Sequence, residues 1–148
     1  MRIAIGSDHA GFALKEDLRQ HLSGVGQEAF DLGCFDESSV DYPDVARPLA
    51  EAVAAHQYDL GVLICSNGVG MSIAANKVKG VRAALCGDTF SARRARQHTD
   101  ANVLCLGSWS VGQGVAREIL DAFLEGQFEG GRHTRRVDKI KAIEDRDP

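Results

Sequence analysis

No apolar run in this 148-residue chain comes near the roughly 18 residues that a membrane-spanning helix requires. There is no excess of positive charge either. Lys and Arg total 17 against 21 Asp and Glu, a net charge of −4, so nothing global favours nucleic acid or an anionic membrane surface. Cysteine is sparse and dispersed: Cys34, Cys65, Cys86 and Cys105 include no pair at the spacing of a zinc knuckle or a redox couple. The opening Met1-Arg2-Ile3-Ala4-Ile5-Gly6 is too short and too strand-like for a secretion signal. The expectation is a cytoplasmic protein whose thiols are reduced. Repeats, linkers and low-complexity segments are absent, so the whole of 1–148 reads as one domain with a basic helix and tail over 130–148.

What is there is an alternation of short apolar runs and helical patterns. Arg2–Gly6, Glu28–Leu32, Leu60–Cys65, Val81–Cys86 and Val103–Gly107 read as strands. Ala10–Ser23, Asp44–His56, Val69–Lys77, Thr89–His98 and Val111–Gly126 read as helices. Continuous apolar strands separated by helices imply a five-stranded parallel sheet covered on both faces, a Rossmann-like, doubly wound α/β/α sandwich. After the break at Gly130-Gly131, Arg132 to Glu144 forms one more helix, with only Val137, Ile140 and Ile143 to bury. That poor apolar stripe predicts packing at a subunit interface.

The densest chemistry follows the third strand. Ile64-Cys65 runs into the loop Ser66-Asn67-Gly68-Val69-Gly70 and then a helix. A thiol, a row of loop amides and a helix start together suit an anion held beside a nucleophile or base. Ser7-Asp8-His9 after the first strand, Cys86-Gly87-Asp88 after the fourth, and Arg96-Gln97-His98-Thr99 at the end of the helix before the fifth are expected to converge on the same crevice.

Familiar alternatives fail by position. Gly6 and Gly11 have P-loop spacing, but Phe12 stands where the lysine must be. Gly68 and Gly70 begin a dinucleotide fingerprint that Ile73 breaks. A cysteine phosphatase would need arginine six residues beyond its thiolate, where Met71 stands, and a phosphate-accepting receiver would need aspartate in place of Cys65. Proton transfer next to a carbonyl in a phosphorylated substrate survives. Amides would hold an enediolate oxygen, and a histidine would move protons on the sugar oxygens.

Several segments, in order, resemble the type B ribose-5-phosphate isomerases and the broader family of galactose- and allose-6-phosphate isomerases. They are Gly6-Ser7-Asp8-His9-Ala10-Gly11, Asp41-Tyr42-Pro43, Ile64-Cys65 through Ser72-Ile73-Ala74-Ala75-Asn76-Lys77, Ser91-Ala92-Arg93 through Arg96-Gln97-His98, and Glu129-Gly130-Gly131-Arg132-His133. The resemblance implies interconversion of ribose 5-phosphate and ribulose 5-phosphate through a cis-enediolate, with no metal and no cofactor. It implies a homodimer or tetramer whose sites draw on two subunits, and no nucleic-acid or membrane partner. It assigns Cys65 as base, His98 to ring opening and Asn67 to the ring-opening partner's place. Ser66, Gly68, Val69 and Gly70 fall in the anion loop. Asp8 and His9 contact substrate, as does Thr99 by position, and Arg132 and Arg136 bind phosphate from one helix face. His133 is a further candidate.

Three positions depart from the pattern. Asn67 cannot relay a proton as a hydroxyl can, so hydrogen bonding is its expected role. Thr99 stands where asparagine is common, and Trp109 where an arginine near the phosphate is common. These departures keep open a six-carbon sugar phosphate as substrate, and Asn67 keeps open a non-catalytic sugar-phosphate-binding module. Met71 fits the cysteine-type branch, since the other branch carries a glutamate base there.

Overall fold

A computed structural model describes residues 1–146; Asp147 and Pro148, the end of the expected tail, lie outside the described residues. Five strands are present: β1 (Arg2–Ser7), β2 (Glu28–Asp31), β3 (Leu60–Cys65), β4 (Ala83–Leu85) and β5 (Val103–Gly107). Six helices alternate with or follow them: α1 (Phe12–Gly24), α2 (Tyr42–Ala54), α3 (Val69–Ala75), α4 (Thr89–Thr99), α5 (Gln113–Glu125) and α6 (Arg132–Glu144). Every strand pairing is parallel, in the order β2-β1-β3-β5-β4. The doubly wound sandwich read from the sequence is therefore the observed fold. Among the described residues no helix is long and apolar enough to cross a membrane.

The period of two along each strand sorts the core into two layers. Ile3, Ile5, Leu60, Val62, Ile64, Leu104 and Leu106 face α1, α4 and α5. Ala4, Leu63, Cys65, Val103 and Cys105 face α2 and α3. β1, β3 and β5 are buried along nearly their whole length, which is why they read as unbroken apolar runs. β4 is an edge strand and is shorter than the Val81–Cys86 expected. Arg82 N–H donates to the Asn102 side chain instead of to a neighbouring strand.

One charge is fully buried. Lys15, on the same stripe of α1 as Leu18 and Leu22, is ion-paired with Asp31 at 2.7 Å and also donates to the Cys34 carbonyl. It ties the end of β2 and the loop after it to α1. A buried ammonium needs such partners, since stranding it would be costly.

The helix expected after Gly130-Gly131 is present as α6. Val137 and His133 are buried within the same chain, and α6 packs on α4. Ile140 and Ile143 remain exposed, leaving the outer half of the apolar stripe uncovered.

Gly11 sets how closely α1 approaches the sheet. A Cβ there would stand 2.6 Å from the Ile64 carbonyl oxygen, a backbone atom that no rotamer change can move. Gly11→Ala should therefore destabilise the protein by about 1–3 kcal/mol, the usual cost of overpacking. Denaturant unfolding of the two proteins checks this, and equal stabilities would show that the α1–β3 contact is not the tight one.

Candidate active site

Cys65 is the last residue of β3, and its side chain is only 4% exposed, on the α2–α3 face. The chain turns at once. Gly68 has φ +77° and is buried, so a side chain there would be strained and would also meet the Leu106 backbone at 2.9 Å. The turn folds the loop back so that Gly68 N–H donates to Cys65 Sγ at 3.1 Å. An amide donor aimed at sulfur is the setting a negatively charged sulfur accepts. Asn67 Oδ1 accepts from Val69 N–H at 3.0 Å, the hydrogen-bonding role expected of an amide without a hydroxyl. Gly70 lies against the ring of Tyr42, where a Cβ would stand 2.7 Å from ring atoms. Met71 is buried in the core layer that contains Cys65.

β5 clamps this loop. Cys65 and Gly107 are paired in register. Ser108 N–H donates to the Cys65 carbonyl at 2.9 Å, and Trp109 N–H to the Ser66 carbonyl at 2.9 Å. The Ser108 hydroxyl reaches the carbonyls of Ala10 (2.8 Å) and Cys65 (3.2 Å), joining the ends of β1, β3 and β5. The Trp109 side chain is 80% exposed on this same edge. Asp8 is buried and accepts from Gly11 N–H at 3.0 Å through Oδ1, the turn-capping role weighed for it; its Oδ2 makes no hydrogen bond among the described residues. His9 is exposed, and its Nδ1 accepts from Val40 N–H at 3.3 Å. Asp8, His9 and residues 65–70 thus share the carboxyl edge of the sheet.

His98 does not join them within one chain. Helices in this fold run antiparallel to the strands. α4 starts at Thr89 beside the carboxyl ends and finishes at Thr99, just before β5 begins. At 1.5 Å per residue, His98 lies about 14 Å down the helix, at the amino edge. The expected convergence of the α4 end with the strand ends on one intrachain crevice is therefore corrected. The Thr99 hydroxyl also turns inward, donating to the Ala95 carbonyl at 2.6 Å within its own helix.

At that amino edge a second cluster assembles. His98 and His133 stack with centroids 4.1 Å apart and planes 12° from parallel. Glu129 Oε2 lies 3.7 Å from each Nε2. Arg132 and Arg136 are exposed on the first turns of α6, four residues apart, with no ion-pair partner among the described residues. The His133 side chain is 6% exposed. Burial first, then the charges of His98 and Arg132, hold its pKa below the ordinary histidine value. The donor atoms of His98, Glu129 and His133 lie within 4.8 Å of one another, close enough to converge on one metal ion. Arg94 Nη1, 3.4 Å from His98 Nε2, puts a fixed positive charge in the same place and opposes a dication. The remaining thiols are core residues: burial raises Cys86 to about 11 and Cys105 further still.

Sequence reasoning missed three residues that build these sites. Ser108 could have been found from the register that sets Gly107 opposite Cys65. Lys15 shows as a lone charge on a buried helical stripe. Glu129, four residues before His133, lies in a segment that reads as loop, so no periodicity marks it.

A sequence model of the family described as Ribose/Galactose Isomerase matches residues 3–140. Ribose-5-phosphate isomerase B of Escherichia coli K12 is 50% identical over 145 residues, covering 98% of this chain and 97% of that protein. The structure of Clostridium thermocellum ribose-5-phosphate isomerase B superposes with a TM-score of 0.97 at 48% identity, covering 98% of both chains. That of Mycoplasma genitalium ribose-5-phosphate isomerase B, which holds ribulose 5-phosphate, superposes with a TM-score of 0.93 at 47% identity over 98% of this chain and 97% of that one.

The depressed His133 pKa has a consequence for stability. Unfolded His133 takes up a proton near pH 6.5, while the folded ring resists it to lower pH. The neutral ring's contribution is therefore complete above about pH 6.5 and is lost as pH falls below it. Urea unfolding from pH 7.5 to 5.5 should show the wild type losing more stability than His133→Gln. Parallel losses would show that His133 titrates alike in both states.

Proposed function

The chain belongs to the ribose/galactose isomerase family, and we propose that it interconverts D-ribose 5-phosphate and D-ribulose 5-phosphate at sites completed by two copies of the chain. It is an aldose–ketose isomerase acting on a sugar phosphate. The observation that carries the two-copy reading is the separation of Cys65 from His98 to opposite edges of one sheet. Cys65 is buried within its own chain, while Arg132 and Arg136, fit for phosphate binding, are exposed at the other end of the sheet.

In the proposed reaction, His98 of a second copy acts first, on the sugar ring. The hemiacetal O1–H gives up its proton and the ring oxygen gains one as the C1–O4 bond breaks, so no net proton is consumed. The Cys65 thiolate then removes the proton from C2, and the C–H electrons form the C1=C2 bond while the carbonyl oxygen becomes an enediolate oxygen. Amides of 66–70 stabilise that oxygen. The proton returns from sulfur to C1 as the O2–H proton passes to the O1 oxyanion, leaving a ketone at C2 and a hydroxyl at C1. Asp8 Oδ2 is open to a sugar hydroxyl, and His9 stands at the same edge. Arg132 and Arg136 of the copy that supplies His98 hold the phosphate, since two guanidinium groups on adjacent turns match its oxygens.

Trp109 bears on the substrate. An exposed indole beside the Cys65 loop supplies apolar surface where a cation would supply charge. A comparison of kcat/KM across four- to six-carbon sugar phosphates should place ribose 5-phosphate first. A six-carbon phosphate turned over faster would move the assignment to that sugar and leave the chemistry unchanged.

Mixing tests the shared site. Cys65→Ala and His98→Asn should each abolish turnover and solvent exchange of the C–H proton. Refolded together in equal amounts, they should recover about a quarter of wild-type activity, because half the pairs are hybrids with one intact site each. Absence of recovery would place both groups in the site of one chain and end the two-copy reading. Turnover by Cys65→Ala alone at the wild-type rate would remove Cys65 as the base.

A further inference from the structure

The cluster at the end of α4 holds more than a lone histidine. Glu129 is fixed by its backbone N–H, which donates to the Gln97 carbonyl at 3.0 Å. Gly130 and Gly131, both at positive φ, then turn the chain so that α6 begins under His98. One oxygen of Glu129 lies 3.7 Å from both stacked imidazoles, and the other lies 4.0 Å from Arg94 Nη1. That guanidinium nitrogen is itself 3.4 Å from His98 Nε2. His133 Nε2 is buried without a hydrogen-bond partner among the described residues and faces the carboxylate.

A single nitrogen of His98 therefore stands between a donor and an acceptor. Unprotonated, Nε2 accepts from Arg94; protonated, it donates toward Glu129. Ring opening asks one imidazole to accept a proton from O1 and deliver one to the ring oxygen. A group that works in both protonation states must be held in one place in both. The flat face of His133 supports the ring from beneath, and Arg132 and Arg136 add the remaining charges around the pair.

Resting on the reading that His98 performs ring opening, we propose that Glu129 is a positioning residue for His98, holding the protonated ring on the His133 face in register with the substrate of the neighbouring copy. It touches no substrate; it acts through the imidazole, as carboxylates orient histidines in other acid–base and metal sites.

The test uses the full chain with D-ribose 5-phosphate. Glu129→Gln should lower kcat about tenfold while changing KM by no more than about twofold. Glu129→Asp should recover part of the loss. An unchanged thermal midpoint separates these effects from loss of fold. Wild-type kcat in Glu129→Gln, with His98→Asn inactive, overturns the proposal and leaves the His98 reading standing. Full turnover in His98→Asn removes the role of His98, and that of Glu129 with it.

Discussion

Opposed running directions govern everything else in this molecule. In a parallel sheet the strands all point one way and the covering helices point back. Whatever ends a strand is then separated from whatever ends a helix by the height of the sheet. Cys65 ends β3, and His98 nearly ends α4. No side-chain rotation can bridge that distance, so a reaction that needs both must recruit a second copy. A compact fold with short crossovers sets the two clusters at opposite edges, and the proposed two-copy site is the arrangement that would join them.

Each half-site is rigid for a different reason. At the carboxyl edge, backbone does the holding. The β3–β5 ladder continues into the loops through Ser108 and Trp109, and the Ser108 hydroxyl ties in the end of β1. The Cys65 loop can therefore be short and rich in glycine without being loose. At the amino edge, side chains do the holding. A stacked imidazole pair, one carboxylate and one guanidinium fix each other's positions. Backbone suits the edge where an anionic oxygen develops, since amides are donors that cannot titrate. Titratable side chains suit the edge where protons must be accepted and returned.

The sequence made some of this plain and hid the rest. β3 and β5 were legible to the residue, because burial on both faces leaves nothing but apolar residues and sharp polar ends. The turn after β3 was legible too, since Gly68 and Gly70 next to a strand end mark a tight loop before a helix. α6 was legible as a helix over Arg132 to Glu144, but its partner was not: Val137 and His133 find α4 of the same chain, while Ile140 and Ile143 stay outward. The placement of His98 was misjudged through topology. Pattern reading orders elements along the chain, and the edge on which a residue falls depends on whether it closes a strand or a helix. Lys15 and Glu129 stood in the sequence without a role, because their roles come from partners far along the chain or across a turn.

Charge shows the same contrast between whole-chain and local quantities. The net charge of −4 would predict that a phosphate is repelled. Yet at the end of α4 and the start of α6, Arg94 stands beside His98, and Arg132 and Arg136 act on the stacked His133, with Glu129 the counter-charge described between the two rings. The screening length at physiological salt is about 8 Å, so a phosphate entering there responds to those few cations and hardly to acids across the molecule. A carboxylate inside this cluster lowers the local repulsion among three guanidinium groups on adjoining helices, so the cluster can stay assembled with its cations in place.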